Sequence, residues 1–176
     1  RINLKFAKRF CCQVHFSFKD GKELYSIGFM NNYEGFEVNF MGAVRVLQHY
    51  RKALKAGNGS VVLVSTVAVQ KGMPYHTSIA AAKGAIEGFG RSLAAEWAPD
   101  VRVNIVAPSL TDTDLASNLL SNEKKQEASN KRHPLGRYGQ PEDLGETIAF
   151  LLSEKSSWIT GQTLGVDGGL STLQPI

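Results

Sequence analysis

An α/β fold with a parallel, doubly wound sheet is what this sequence predicts, and three observations predict it. Strand-like and helix-like segments alternate along the chain. The run "VVLVST", residues 61 to 66, is continuously apolar and β-branched until its end, as in a strand buried on both faces. The order strand, helix, strand, helix, strand, helix, strand is that of one half of such a sheet, with right-handed crossovers laying helices on both faces. The fold expected is therefore part of a doubly wound parallel sheet, preceded by an N-terminal hairpin.

The elements follow in chain order. In "CQVHFSF", residues 12 to 18, Val14, Phe16 and Phe18 share one face. "KDGK" separates this run from "ELYSIGF", and an Asp-Gly pair between two strand-like runs signals a hairpin. Residues 1–30 are taken as a divergent N-terminal segment and 31–176 as the core. Residues 33 to 56 read as a long helix, because Phe36, Phe40, Val44 and Leu47 recur at helical spacing and "GNGS" ends the pattern. After the strand at 61–66, residues 77 to 97 form a second long helix, and "VRVNIVAP", 101 to 108, is a strand that Pro108 ends. Residues 110 to 133 are polar, helical in pattern, and read as a mobile segment. "PEDLGETIAFLLSE", 141 to 154, opens with proline at a first helical position and acids in the first turn. "GQTLGVDGG", 161 to 169, closes as a short strand.

Bulk properties exclude several classes. The 176 residues are 43% hydrophobic, ordinary for a soluble globular protein. No apolar run is long enough to span a membrane. The net charge of +4 sits in the first segment, where Arg1, Lys5, Lys8 and Arg9 precede the first acid, Asp20. The remainder is nearly balanced, so a basic nucleic-acid surface is not indicated. The cysteines, Cys11 and Cys12, are adjacent, a spacing that suits neither a disulfide nor a metal or redox site. A reducing, cytoplasmic compartment is the reading, with a mitochondrial one as the alternative that the acid-free start leaves open.

One stretch imitates a phosphate-binding loop: "GAIEGFG", with Gly84, Gly88 and Gly90. A true loop follows a strand and opens a helix, so that free N–H groups face the phosphate. These glycines lie inside a helical run. With Ala80, Ala81 and Ala85 they read instead as a slim face that another helix can approach.

"VVLVST", "AAAKGAIEGFGRSLAAEWAPDVRVNIVAPSLTDT" and "WITGQTLGVDGG", in this order, resemble the C-terminal two-thirds of a short-chain dehydrogenase/reductase. The likeness runs from about Phe36 to Ser171. It implies an NAD- or NADP-binding Rossmann fold, a homodimer or homotetramer, and hydride transfer between cofactor and a small alcohol or carbonyl. Residue by residue, the family's structural and proton-relay asparagine falls on Asn39. Its serine falls on Thr66, with Ser65 the alternative in a shifted register. Its lysine falls on Lys83, which in the family also holds ribose hydroxyls. "PSLTDT" carries the cofactor-contacting motif through Pro108 and Thr113, while Ser109 replaces a glycine. No metal site is implied.

Two departures stand out. The family tyrosine falls on Ile79, which has no proton to give to the alkoxide that hydride transfer leaves. A tyrosine has an ordinary pKa near 10, lowered by a neighbouring ammonium, and positioned acid–base groups contribute about 10²–10⁴-fold. Tyr75 lies eight residues from Lys83, about 12 Å along a helix, too far to substitute. His76 reads as a helix-entry histidine. The second departure is that no glycine-rich cofactor loop precedes Phe36. The expectations are thus an oxidoreductase by lineage, weak or inactive in carbonyl reduction as the chain stands, or a non-catalytic oligomerisation scaffold of the same fold, or a truncated enzyme.

Overall fold

The computed structural model describes residues 33–174, and the expected hairpin at 12–29 and both cysteines lie outside them. The elements are α1 (Tyr33–Phe36), a π-helical turn (Glu37–Met41), α2 (Gly42–Ala56), β1 (Ser60–Val64), α3 (Thr77–Trp97), β2 (Arg102–Pro108), α4 (Glu123–Arg132), α5 (Pro141–Leu152) and β3 (Thr163–Val166). Short 3-10 turns sit at Val67–Val69, Asp114–Leu119 and Glu154–Ser156.

The sheet is three-stranded, in the order β1-β2-β3, and both pairings are parallel. Alternation along each strand sorts side chains between two cores. Val61 and Leu63 of β1, with Val103 and Ile105 of β2, pack against Ala43 and Leu47 of α2 and Ile86, Leu93 and Trp97 of α3. Val64 and Val106 face the other way, onto Ile148 and Leu151 of α5. Helices therefore cover both faces, as the doubly wound reading requires. Among the described residues β1 pairs on one side only.

Local chemistry explains the boundaries. Arg102, at the start of β2, donates to the carbonyls of Leu151, Ser153 and Ser156 at 2.9–3.0 Å. It thus satisfies acceptors that the end of α5 and the turn after it leave open. Asn104, 0% exposed in mid-strand, donates to the Ile159 carbonyl at 2.8 Å and accepts from the Gln162 N–H at 3.1 Å. That bond fixes the chain as it enters β3. At the start of α5, the Asp143 carboxylate accepts from the Gln140 N–H at 2.7 Å.

Several sequence expectations need correction. The long first helix contains a π-turn centred on Asn39, which a 3.6-residue periodicity cannot reveal. Its Phe36 is 40% exposed, so the expected apolar stripe begins only at Phe40. The last strand spans only Thr163–Val166, because Gly168 and Gly169 take φ of +60° and +87° and turn the chain. The glycines of "GAIEGFG" do lie inside α3, but not on one helix-facing surface. A Cβ on Gly90 would meet Ile105 and Leu63 at 3.0 Å, so this glycine lets α3 close onto the sheet. A Cβ on Gly88 would meet nothing within 4 Å. Among the described residues no helix is long and apolar enough to cross a membrane.

Candidate active site

The carboxyl ends of β1 and β2 lie side by side, which is where open α/β sheets place their ligands. At the end of β1 the Ser65 N–H donates to the Val106 carbonyl at 2.7 Å and carries the ladder one residue past the strand. Thr66 is extended, with φ −156° and ψ 149°, and half-buried. Its hydroxyl oxygen accepts the Ala68 N–H at 3.3 Å, capping the 3-10 turn. An accepting hydroxyl still has its own proton to donate.

Helix α3 supplies the cation. Lys83 is 2% exposed, and its Nζ donates to the Val64 carbonyl at 3.0 Å. Ile79, Lys83 and Glu87 are spaced by four and share a helix face. Ile79 is half-buried and brings only hydrocarbon to that face. Glu87, 5% exposed, accepts the Ser65 hydroxyl at 2.6 Å and lies 3.6 Å from Arg91. The Ser65 side chain, 1% exposed, is thereby drawn under α3. Of the two candidate hydroxyls, Thr66 is the one the strand leaves partly open. Tyr75 sits outside the helix with φ +64° and is 81% exposed. The His76 ring bonds the Pro74 carbonyl at 2.7 Å. Neither is placed as a substitute for the missing tyrosine.

Asn39 is 9% exposed in the π-turn, which packs against α3. Its amide donates to the Gly35 carbonyl at 2.9 Å, while its Oδ1 is buried without a hydrogen-bond partner among the described residues. A buried acceptor left open is costly, and in native structures it calls for an explanation.

The loop after β2 is more fully bonded. Pro108 ends the strand opposite Val166. The Thr111 hydroxyl donates to the Ser109 carbonyl at 3.2 Å, and the Thr113 hydroxyl to the Thr111 carbonyl at 3.4 Å. Thr113 is 8% exposed. The Ser109 hydroxyl lies 2.9 Å from His133 Nε2, and His133 Nδ1 lies 2.7 Å from the Ser129 carbonyl. The carbonyl requires an N–H at Nδ1, so in the neutral ring Nε2 accepts the serine proton. Asp167, beyond β3, accepts from the N–H groups of Gly169 and Ser171 at 2.9 and 2.8 Å, and from the Ser171 hydroxyl. Burial pushes the Asp167 carboxyl up, but these hydrogen bonds and the nearby His133 outweigh it and hold it below its ordinary value.

Sequence reasoning missed Glu87, His133 and Asp167. The signal for Glu87 was available, since a carboxylate one turn beyond Lys83 shares its face. Asp167 had the Asp-Gly-Gly turn as its signal.

Lys83 and Thr66 bring an ammonium and a hydroxyl to the exit of β1, Thr113 lies in the loop after β2, and Asn39 carries an open amide oxygen on the π-turn. Nothing among the described residues matches a pyrophosphate: the glycines that imitate the loop lie within α3. No cluster of metal-ligating side chains occurs among the described residues either.

Comparison with known proteins gives the family. A family model described as enoyl-(acyl carrier protein) reductase matches residues 30–171. A second, described as a domain of unknown function, matches residues 1–41. The 3-oxoacyl-(acyl-carrier-protein) reductase of Thermotoga maritima is 42% identical over 135 residues, 76% of this chain and 54% of that protein. The chain thus spans about half the length of the curated relatives it matches. Among solved structures, the ligand-free aldohexose dehydrogenase of Thermoplasma acidophilum has a TM-score of 0.77 at 29% identity, over 86% of this chain and 66% of that one. A gluconate 5-dehydrogenase from Burkholderia cenocepacia, in complex with NADP and tartrate, has a TM-score of 0.75 at 29% identity, over 84% of this chain and 59% of that one.

Proposed function

This chain belongs to the short-chain dehydrogenase/reductase family, and we propose that it carries the nicotinamide and substrate end of an NAD- or NADP-dependent oxidoreductase acting on a small alcohol or carbonyl. The observation that carries the reading is Lys83, buried and bonded to the last carbonyl of β1, beside a strand end that presents Pro108–Thr113. The relatives and neighbours name a 3-oxoacyl-(acyl-carrier-protein), an aldohexose and gluconate, so the likeness supports the reaction class and leaves the substrate open.

When bound, the reduced nicotinamide supplies a hydride. Lys83 and the loop ending at Thr113 hold the ribose and base, with Pro108 fixing the start of that loop. Thr66 donates a hydrogen bond to a substrate oxygen and polarises it, and the proton that the alkoxide takes up comes from solvent. Asn39 offers its open Oδ1 to the polar groups beside α3. The weak step is proton supply, because Ile79 presents hydrocarbon where an acid is needed. The chain is therefore a slow reductase on this reading. Steady-state NADPH oxidation across a panel of ketones and aldehydes tests this. Measurable turnover that Thr66→Ala abolishes supports the reading, and none in either the parent or the Ile79→Tyr variant overturns it.

A homo-oligomeric scaffold is the second reading. Trp158 is 98% exposed, with Leu164 at 44% on β3 and Leu152 at 43% on α5 nearby in sequence. Ala81 and Gly88 lie exposed on α3. Monomeric sedimentation would contradict it.

A further inference from the structure

The buried carboxylate of Glu87 has no part in the chemistry above. It sits in α3 one turn beyond Lys83, and the two residues grip adjacent points of the β1 exit. Lys83 Nζ holds the Val64 carbonyl at 3.0 Å, and Glu87 Oε1 holds the Ser65 hydroxyl at 2.6 Å. The next residue is Thr66. A buried carboxylate is expensive unless hydrogen-bonded or paired, and Glu87 has both forms of compensation, from Ser65 and from Arg91 at 3.6 Å. An apolar residue would pack at this position at lower cost, so the carboxylate needs a reason beyond packing.

We propose that Glu87 is a positioning residue, whose bond to Ser65 fixes the strand exit that turns the Val64 carbonyl to Lys83 and the Thr66 hydroxyl to the substrate. This rests on the nicotinamide-end reading of the site. The geometry is a two-point clamp. Helix positions 83 and 87 share a face, strand positions 64 and 65 are consecutive, and the two bonds fix both the height and the rotation of the exit. Side chains of consecutive extended residues point to opposite faces. Drawing Ser65 under α3 therefore directs Thr66 away from it, towards the open carboxyl end of the sheet.

The test combines amide exchange with cofactor titration, on the full chain. The reporters are the N–H groups of Ser65, Ala68 and Val69, bonded to the Val106 carbonyl, the Thr66 hydroxyl and the Thr66 carbonyl. Leu93→Ala, in the core of the same helix, is the control for general destabilisation. Glu87→Ala and Ser65→Ala should each raise exchange at the three reporters about ten-fold beyond Leu93→Ala at matched stability. Glu87→Gln retains an acceptor and should stay within about three-fold of the parent. NADPH affinity should follow the same order, weakening about ten-fold in Glu87→Ala and staying level in Leu93→Ala. Reporter exchange in Glu87→Ala no faster than in the control overturns the clamp. If the parent binds no NADPH, the nicotinamide-end reading fails and the exchange data alone decide for or against the clamp.

Discussion

The two strand ends that meet at the site carry their polar groups differently. At the exit of β2, each hydroxyl of the loop is committed: Ser109 to His133, Thr111 and Thr113 to backbone carbonyls. At the exit of β1, Thr66 keeps a proton to give, and Asn39, on the π-turn that packs against α3, keeps a buried acceptor open. The hydroxyl protons of the first region are bonded internally, while the second keeps one hydroxyl proton and one amide oxygen uncommitted. Yet it is in the second region that the family's acid is replaced by Ile79. On the proposed reading, the groups that would hold a ligand are present, and the position that would supply a proton carries Ile79.

The largest effect expected from breaking this contrast is Ile79→Tyr. With Lys83 one turn away, a phenol there should raise the rate of NADPH-dependent carbonyl reduction by about 10²–10⁴-fold, read as steady-state turnover. The β1 side can also be pushed sterically. Gly90→Ala puts a Cβ 3.0 Å from Ile105 and Leu63 and should cost about 1–3 kcal/mol in urea denaturation. Gly88→Ala meets open space and should stabilise by up to about 1 kcal/mol. On the β2 side, Ser109→Gly restores the family residue but leaves His133 Nε2 buried without its donor. It should cost about 1–2 kcal/mol by the same measurement.

The smallest effect is the pH response of Asp167. Its folded pKa lies below the ordinary carboxylate value, so at mildly acidic pH the unfolded chain binds more protons than the folded one. The stability it contributes is fully present above the unfolded carboxylate pKa and is lost as pH falls through the depressed folded value. Asp167→Asn should therefore flatten the acid limb of a melting-temperature profile and leave the neutral limb parallel to the parent's.

Much of the fold was legible because burial on both faces writes itself as nearly continuous apolar, β-branched runs, as in Val61–Val64 and Val103–Val106. The π-turn at Asn39 was not, since one extra residue per turn barely disturbs an apolar periodicity. Thr66, Lys83 and Pro108–Thr113 were singled out by motif spacing, and the structure sets them at neighbouring strand ends. What the strand alone could not show is where Ser65 points: its hydroxyl bonds Glu87, 22 residues further along the chain. His133 was hidden in a polar segment that reads as solvated, and only the fold brings it to Ser109.

The central claim, a nicotinamide–ribose grip at Lys83 and the loop ending at Thr113, is tested most directly by fluorescence titration of the chain with NADPH, NADH and reduced nicotinamide mononucleotide. Saturable binding is expected with Kd on the order of 0.1–1 mM, the mononucleotide within about ten-fold of the dinucleotides, and loss of all three in Lys83→Met. No saturation with any of them at millimolar concentration, or binding that Lys83→Met leaves unchanged, would contradict it.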